Sequence, residues 1–248
     1  MNAFSIANAV VGRFGLELRP TGFRSDFEAD SAALIRRVQP YTMTPPDRIY
    51  AMIQAVRYIC RAGINGSIVE CGVWRGGSMM AAALTLLEAK RWDVDLYLFD
   101  TYEGMPAPDQ VDVDSRGRDA ASQLAAVQRT KESRIWAYSP LAEVKHNLIE
   151  TGYDTDRLHF VKGKVEDTVP EHAPAEISLL RLDTDWYAST RHELEHLYPR
   201  LARGGVLILD DYGWWKGSRR AFDEYAAENG IHLLLSRIDN AGRVAIKN

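Results

Sequence analysis

Two acidic clusters stand at the ends of two apolar runs. Leu179-Leu180-Arg181-Leu182 leads into Asp183-Thr184-Asp185, and Gly205-Val206-Leu207-Ile208-Leu209 leads into Asp210-Asp211. Short runs rich in Val, Ile and Leu read as strands buried on both faces of a parallel sheet. Such sheets bind their ligands beyond the carboxyl ends of the strands. Carboxylates gathered there are costly without positive compensation, and a hard divalent cation with oxygen ligands supplies it. Asp183, Asp210 and Asp211 are therefore read as ligands of a Mg²⁺-type ion. An ion so held can bind an acceptor hydroxyl and lower its pKa. Asp185 points a different way if Asp183 faces the ion, which makes it the candidate general base for that hydroxyl's proton.

A second constellation lies upstream. An apolar run ends in Glu70-Cys71-Gly72-Val73-Trp74-Arg75-Gly76-Gly77-Ser78. Glycine lets backbone approach a ligand without a Cβ clash. The helix start that follows, with Ser78 near it, presents free N–H groups to a carboxylate or phosphate. Asp100 closes the next apolar run, 28 residues after Gly72. An acid at that place in a βαβ unit typically receives ribose hydroxyls. The glycine pattern is GxxxGG rather than GxGxxG, which disfavours a nicotinamide dinucleotide.

Alternating elements position these residues. Strands are predicted at 67–71, 96–100, 159–162, 177–183 and 206–210, and helices at 48–61, 76–90, 141–152, 188–202 and 217–229. Two closing strands, 231–235 and 243–247, flank the turn Asp239-Asn240-Ala241-Gly242. The pattern predicts a doubly wound, Rossmann-like α/β sheet with an antiparallel edge. Residues 101–118 form a long polar loop, and loops of that length are usually functional or mobile. Residues 1–45 are mixed in pattern and are read as an N-terminal extension serving as a lid or oligomer arm, ahead of a domain spanning 46–248.

The chain has 248 residues, 46% apolar and 26% charged, with a net charge of −4. These values suit one sizeable globular α/β domain and offer no basic field for nucleic acid. Neither Cys60 nor Cys71 lies in a CxxC or Cys/His cluster, so neither a disulfide framework nor a zinc site is expected. No signal peptide or membrane span is read, which makes the cytoplasm the default location.

Five stretches carry a family resemblance in order: GVWRGGS, FDTYEGMP (99–106), GKVEDTVP (163–170), DTDWYAST (183–190) and LDDY (209–212). Together they resemble the macrocin O-methyltransferases, metal-dependent and S-adenosylmethionine-dependent sugar O-methyltransferases of antibiotic and polysaccharide pathways. The resemblance spans about residues 40–230. It implies a class I methyltransferase sheet with S-adenosylmethionine and Mg²⁺. It places Gly72, Trp74 and Ser78 along the methionine half of the cofactor, Asp100 and Thr101 at the ribose, and Val165 and Glu166 at the adenine, with Glu70 also among the cofactor-binding residues. It implies the same metal trio, Asp183, Asp210 and Asp211, with Asp185 as base. Terminal and loop segments of such enzymes often mediate homo-oligomer contacts. The chain departs from the pattern at Thr184, where members often carry glycine.

Aromatic residues gather after the acids. Trp186, Tyr187, Tyr212 and Trp214 are read as the acceptor-binding rings, since sugars stack apolar faces on such surfaces. The acceptor expected is a small molecule or glycan. Two other strings compete. His192-Glu193-Leu194-Glu195-His196 matches the zinc-protease HExxH, but no third ligand with a familiar spacing follows, and Leu194, Leu197, Tyr198 and Leu201 give the helix a sound core face. Asp183-Thr184-Asp185 also matches the DxD string of metal-dependent glycosyltransferases, an alternative that leaves the Gly72 turn and Asp210-Asp211 unexplained.

Overall fold

In the computed structural model, which describes residues 23–130 and 132–248, seven strands form one sheet in the order β3-β2-β1-β4-β5-β7-β6. The strands are β1 (Ser67–Cys71), β2 (Leu96–Asp100), β3 (Leu158–Lys162), β4 (Ile177–Leu182), β5 (Leu201–Leu209), β6 (Ser236–Arg237) and β7 (Arg243–Ile246). β1 to β5 pair in parallel, while β7 runs antiparallel to both β5 and β6. The chain winds outward from β1 in one direction through β2 and β3, then returns to β4 on the other side. Strand order therefore reverses between β1 and β4, which is where an open α/β sheet leaves its ligand crevice.

Strand alternation sorts the side chains into two cores. Ile68, Leu179, Val206 and Ile208 face α1 (Ala29–Val38), α2 (Pro46–Ala62) and α3 (Gly77–Glu88). Val69, Leu180, Leu182, Leu207 and Leu209 face the other side, with Leu194, Leu197, Phe222 and Tyr225. The remaining helices are α4 (Ala120–Ala125), α5 (Leu141–Ile149), α6 (Val165–Thr168), α7 (Tyr187–Leu197) and α8 (Lys216–Glu228). Among the described residues no helix is long and apolar enough to cross a membrane.

Three expectations change. The helix predicted over 188–202 ends at Leu197 and passes into a tight turn over Tyr198–Arg200, where Pro199 cannot continue it. The following strand then begins at Leu201 rather than 206. The strand predicted over 231–235 has no ladder partner; β7 pairs instead with Ser236 and Arg237, and Leu234 is 86% exposed. Of the expected N-terminal extension, residues 1–22 lie outside the described residues. Residues 29–38 form α1, which packs Leu34, Ile35 and Val38 into the first core.

Candidate active site

The crevice holds one cavity of about 640 Å³ running from the Gly72 turn to the acids. That size suits a drug-sized ligand. On one side stand Gly72, Trp74, Asp100, Thr101, Val165 and Glu166. Asp183, Asp185, Asp210 and Asp211 line the cavity as well. Met43–Pro45, Met105, Trp214, Trp215 and Asn240 complete the lining.

The glycine turn is made by close approach. A Cβ on Gly72 would lie 2.0 Å from the Asp183 carbonyl oxygen, and its φ of +83° suits glycine alone. Asp100 fastens this turn: its carboxylate accepts the Val73 amide at 2.7 Å, the Trp74 amide at 3.1 Å and the Tyr102 amide at 2.6 Å. The Trp74 indole Nε1 is buried and has no hydrogen-bond partner among the described residues. Glu70 and Ser78 do not line the cavity. Ser78 is buried in the first turn of α3, and Glu70 is the partner of Arg181.

Alternation puts Glu70, Arg181 and Asp210 on one face of the sheet, and register brings them together. Glu70 pairs with Arg181 across β1 and β4, and Asp210 follows the β5 residues that pair with β4. Arg181 is 2% exposed and reaches Glu70, Asp183 at 2.8 Å, Asp210 at 2.6 Å and the Thr44 hydroxyl at 3.2 Å. Arg48, from the first turn of α2, holds the other oxygen of Asp210 and donates to Asp239 at 2.8 Å. Burial pushes Asp210 up, but Arg181 and Arg48 outweigh it and hold the carboxyl below the usual range.

The other acids have less compensation. Among the described residues, the metal-type cluster joins Asp183, Asp185 and Asp211, with carboxylate oxygens within 4.8 Å of one another. The sequence expectation grouped Asp210 with Asp183 and Asp211; the structure turns Asp210 into the arginine network and brings Asp185 in. Burial raises Asp183 and Asp211 well above the ordinary value, with repulsion from neighbouring carboxylates adding to it. Burial likewise raises Asp185 to about 7, while Asp211 and Trp215 pull it back. Asp211 Oδ2 is buried and has no hydrogen-bond partner among the described residues. Crowded carboxylates of raised pKa and an orphaned oxygen suit a divalent cation. The Gly72 turn and the Trp74 indole, which both line the cavity beside Asp100, likewise suit a nucleoside with a charged tail.

The acceptor side differs most from expectation. Trp214 lines the cavity, but Trp186, Tyr187 and Tyr212 do not. Trp186 is 2% exposed, packs edge-on against Trp215 at 4.9 Å and donates to the Pro106 carbonyl at 3.1 Å. Tyr187 donates to Glu224 and Tyr212 to Asp223, each at the surface of α8. The string His192-Glu193-His196 forms no metal cluster among the described residues: Glu193 is fully buried and His192 contacts the Val169 carbonyl. Sequence reasoning missed Arg181 and Arg48. A lone arginine inside the run Leu179–Leu182 is a legible signal for a buried ion pair; Arg48, on the polar side of an amphipathic helix, gives none.

A model of the macrocin-O-methyltransferase (TylF) family matches residues 24–246. The chain is 33% identical over 202 residues to the 8-demethyl-8-(2,3-dimethoxy-alpha-L-rhamnosyl)-tetracenomycin-C 4'-O-methyltransferase of Streptomyces olivaceus, covering 82% of this chain and 74% of that one. It is 31% identical over 202 residues to the mycinamicin III 3''-O-methyltransferase of Micromonospora griseorubida, covering 82% and 76%. Among solved structures, the O-methyltransferase NovP superposes with a TM-score of 0.71 at 29% identity, covering 84% of this chain and 82% of that chain. The calicheamicin methyltransferase CalS11 shares the fold at 19% identity, with a TM-score of 0.62 and coverage of 92% and 99%.

Proposed function

Because this chain belongs to the macrocin O-methyltransferase family, we propose that it moves the methyl group of S-adenosylmethionine to a sugar hydroxyl of a natural product, with Mg²⁺ assisting. The observation that carries this reading is the single cavity joining the Gly72–Asp100 turn to the Asp183, Asp185 and Asp211 cluster. A DxD glycosyltransferase would use Asp183 and Asp185 but has no need of that turn.

The cofactor brings an already activated sulfonium methyl, so the protein's work is alignment. Gly72, Trp74, Asp100 and Thr101 would hold its amino-acid and ribose parts, with Val165 and Glu166 beside the adenine. Asp183 and Asp211 would hold Mg²⁺, which typically takes one or two carboxylates and keeps its other positions for water and substrate oxygens. A bound ion there supplies Lewis acidity to the acceptor oxygen. We move Asp210 from the ligand set to a supporting role, because both its oxygens are taken by arginine. Asp185, whose carboxylate lies beside those of Asp183 and Asp211, would accept the hydroxyl proton as general base. Met43–Pro45, Met105 and Trp214 would receive the sugar and exclude water, which gives the segment ahead of α2 its part in the site.

The direct test is titration with S-adenosylmethionine in the wild type and Asp100→Ala. The reading expects binding in the micromolar range that the variant loses. No binding to a folded wild type, with binding of a nucleotide sugar instead, would transfer the reading to glycosyl transfer.

A further inference from the structure

Asp112 is fully buried in the long loop between β2 and α4; it lies outside the main cavity, lines a smaller neighbouring one with Pro106, Asp109 and Trp186, and forms no ion pair with a basic side chain among the described residues. Its Oδ1 accepts the Tyr187 amide at 2.8 Å and its Oδ2 the Asp109 amide at 2.7 Å. Tyr187 is the first residue of α7, whose N-cap, Trp186, supplies no side-chain cap. The first amides of a helix need acceptors from outside it, and a carboxylate also complements the positive end of the helix. Asp112 therefore caps α7 from 75 residues away in sequence.

The same oxygen lies against α8. A Cβ on Gly217, in the first turn of α8, would stand 1.9 Å from Asp112 Oδ1 and 3.1 Å from the Tyr187 nitrogen. Two helix starts and one carboxylate thus meet at a point where only glycine fits. Backbone bonds close the joint: Lys216 N–H donates to the Val113 carbonyl at 2.9 Å, and Ala120 N–H to the Asp112 carbonyl at 3.0 Å. α7 follows the tip carrying Asp183 and Asp185, and α8 follows the tip carrying Asp210 and Asp211. Asp185, two residues before Tyr187, sits at φ +68°, a left-handed conformation that needs support from its surroundings.

We propose that Asp112 is a positioning residue for the acidic cluster: by joining the first turns of α7 and α8, its buried carboxylate sets the distance between the tip bearing Asp183 and Asp185 and the tip bearing Asp211. The proposal rests on the reading of those acids as a cation site. It also ties the loop that supplies Met105 and Pro106 to the cavity wall into the same joint as the acids. Groups that orient metal ligands from outside typically matter for affinity by roughly ten- to a hundredfold.

The test is Mn²⁺ titration of the full chain, followed by electron paramagnetic resonance, alongside calorimetric titration with S-adenosylmethionine. Four variants are needed: Asp112→Ala, Asp112→Asn, Tyr187→Pro and Tyr187→Ala. Proline at Tyr187 removes the donated N–H at a helix position that accepts proline, and Trp186 before it is already extended at φ −88°, ψ 157°. Asp112→Ala is expected to weaken Mn²⁺ by about tenfold or more. Tyr187→Pro is expected to do the same relative to Tyr187→Ala. Asp112→Asn, whose amide oxygen can still accept from Tyr187, should remain close to wild type, and cofactor affinity should hold within about twofold throughout. If Asp112→Ala does not fold, the Tyr187 pair carries the comparison. Unchanged Mn²⁺ affinity in the variants, with loss of thermal stability alone, would overturn the positioning role. A folded wild type that binds S-adenosylmethionine but not Mn²⁺ would overturn the cation reading and this inference with it.

Discussion

The backbone of Gly72 lies so close to that of Asp183 that a single Cβ on the glycine would stand 2.0 Å from the Asp183 carbonyl oxygen. The turn assigned to the cofactor and the tip that begins the acidic cluster are thus one packed unit at the reversal point of the sheet. Gly72→Ala must push the two apart or fail to pack. It should weaken S-adenosylmethionine by at least about tenfold, ~1.4 kcal/mol, and weaken divalent cation binding in parallel. Calorimetry with each ligand checks this, and an alanine variant with wild-type affinity for both would separate the two halves of the site.

Arg181, 2% exposed, is the shared cationic partner of Glu70, Asp183 and Asp210. Removing one partner of a buried ion-pair network leaves charge without compensation, which costs about 3–5 kcal/mol. Arg181→Met should therefore lower unfolding free energy in urea by that amount at neutral pH. Adding Glu70→Gln should recover part of the loss, since one of the stranded carboxylates is then gone. Additive losses in the double variant would argue against the pairing.

Glu70 also gives stability a pH dependence of known sign. Burial pushes its carboxyl up to about 7, with Arg181 pulling against that shift. A folded-state pKa above the unfolded value of about 4.3 means that the folded protein holds the proton more tightly. The contribution is fully present below that unfolded value and is lost as pH rises through about 7. In chelator, the wild type should lose more thermal stability between about pH 5 and pH 8 than Glu70→Gln does. Equal losses in the two proteins would remove Glu70 as the source.

Three of the acids at the tips should separate by role. Asp185→Asn should lower kcat by roughly 10²–10⁴-fold while Mn²⁺ and S-adenosylmethionine affinities stay near wild type. Asp211→Asn should lose Mn²⁺. Asp210→Asn should act first on stability, because it releases Arg48 and Arg181 rather than a ligand oxygen. Loss of Mn²⁺ in Asp185→Asn, with retention in Asp211→Asn, would exchange the two assignments.

Much of this was legible in the sequence where short-range pattern governs the outcome. The runs ending at Cys71, Asp100, Leu182 and Leu209 became neighbouring or near-neighbouring strands, and Asp100 with the acids that follow Leu182 and Leu209 lines one cavity. Contacts that depend on register were less legible. Asp210 and Asp211 look equivalent as a pair, yet alternation sends Asp210 to the face that holds Arg181 and leaves Asp211 with Asp185. Trp186 stands beside the acids in sequence, but α7 begins immediately after it and carries the ring into a small core with Trp215, Ala120 and Leu124. The 101–118 loop reads as polar and uncommitted; two buried aspartates, Asp112 and Asp114, dock it, with backbone bridges completing the seat. Nothing local in Asp112 announces a partner 75 residues later.

The central claim is methyl transfer to a sugar oxygen with a divalent cation in the site. The most direct measurement is the transfer of label from methyl-labelled S-adenosylmethionine to a panel of glycosylated natural products, run with Mg²⁺ and with excess chelator, with the methylated atom located by NMR. The account predicts label on a sugar hydroxyl oxygen in Mg²⁺ and its loss in chelator. Undiminished transfer in chelator, or label on an atom other than a hydroxyl oxygen, would contradict it.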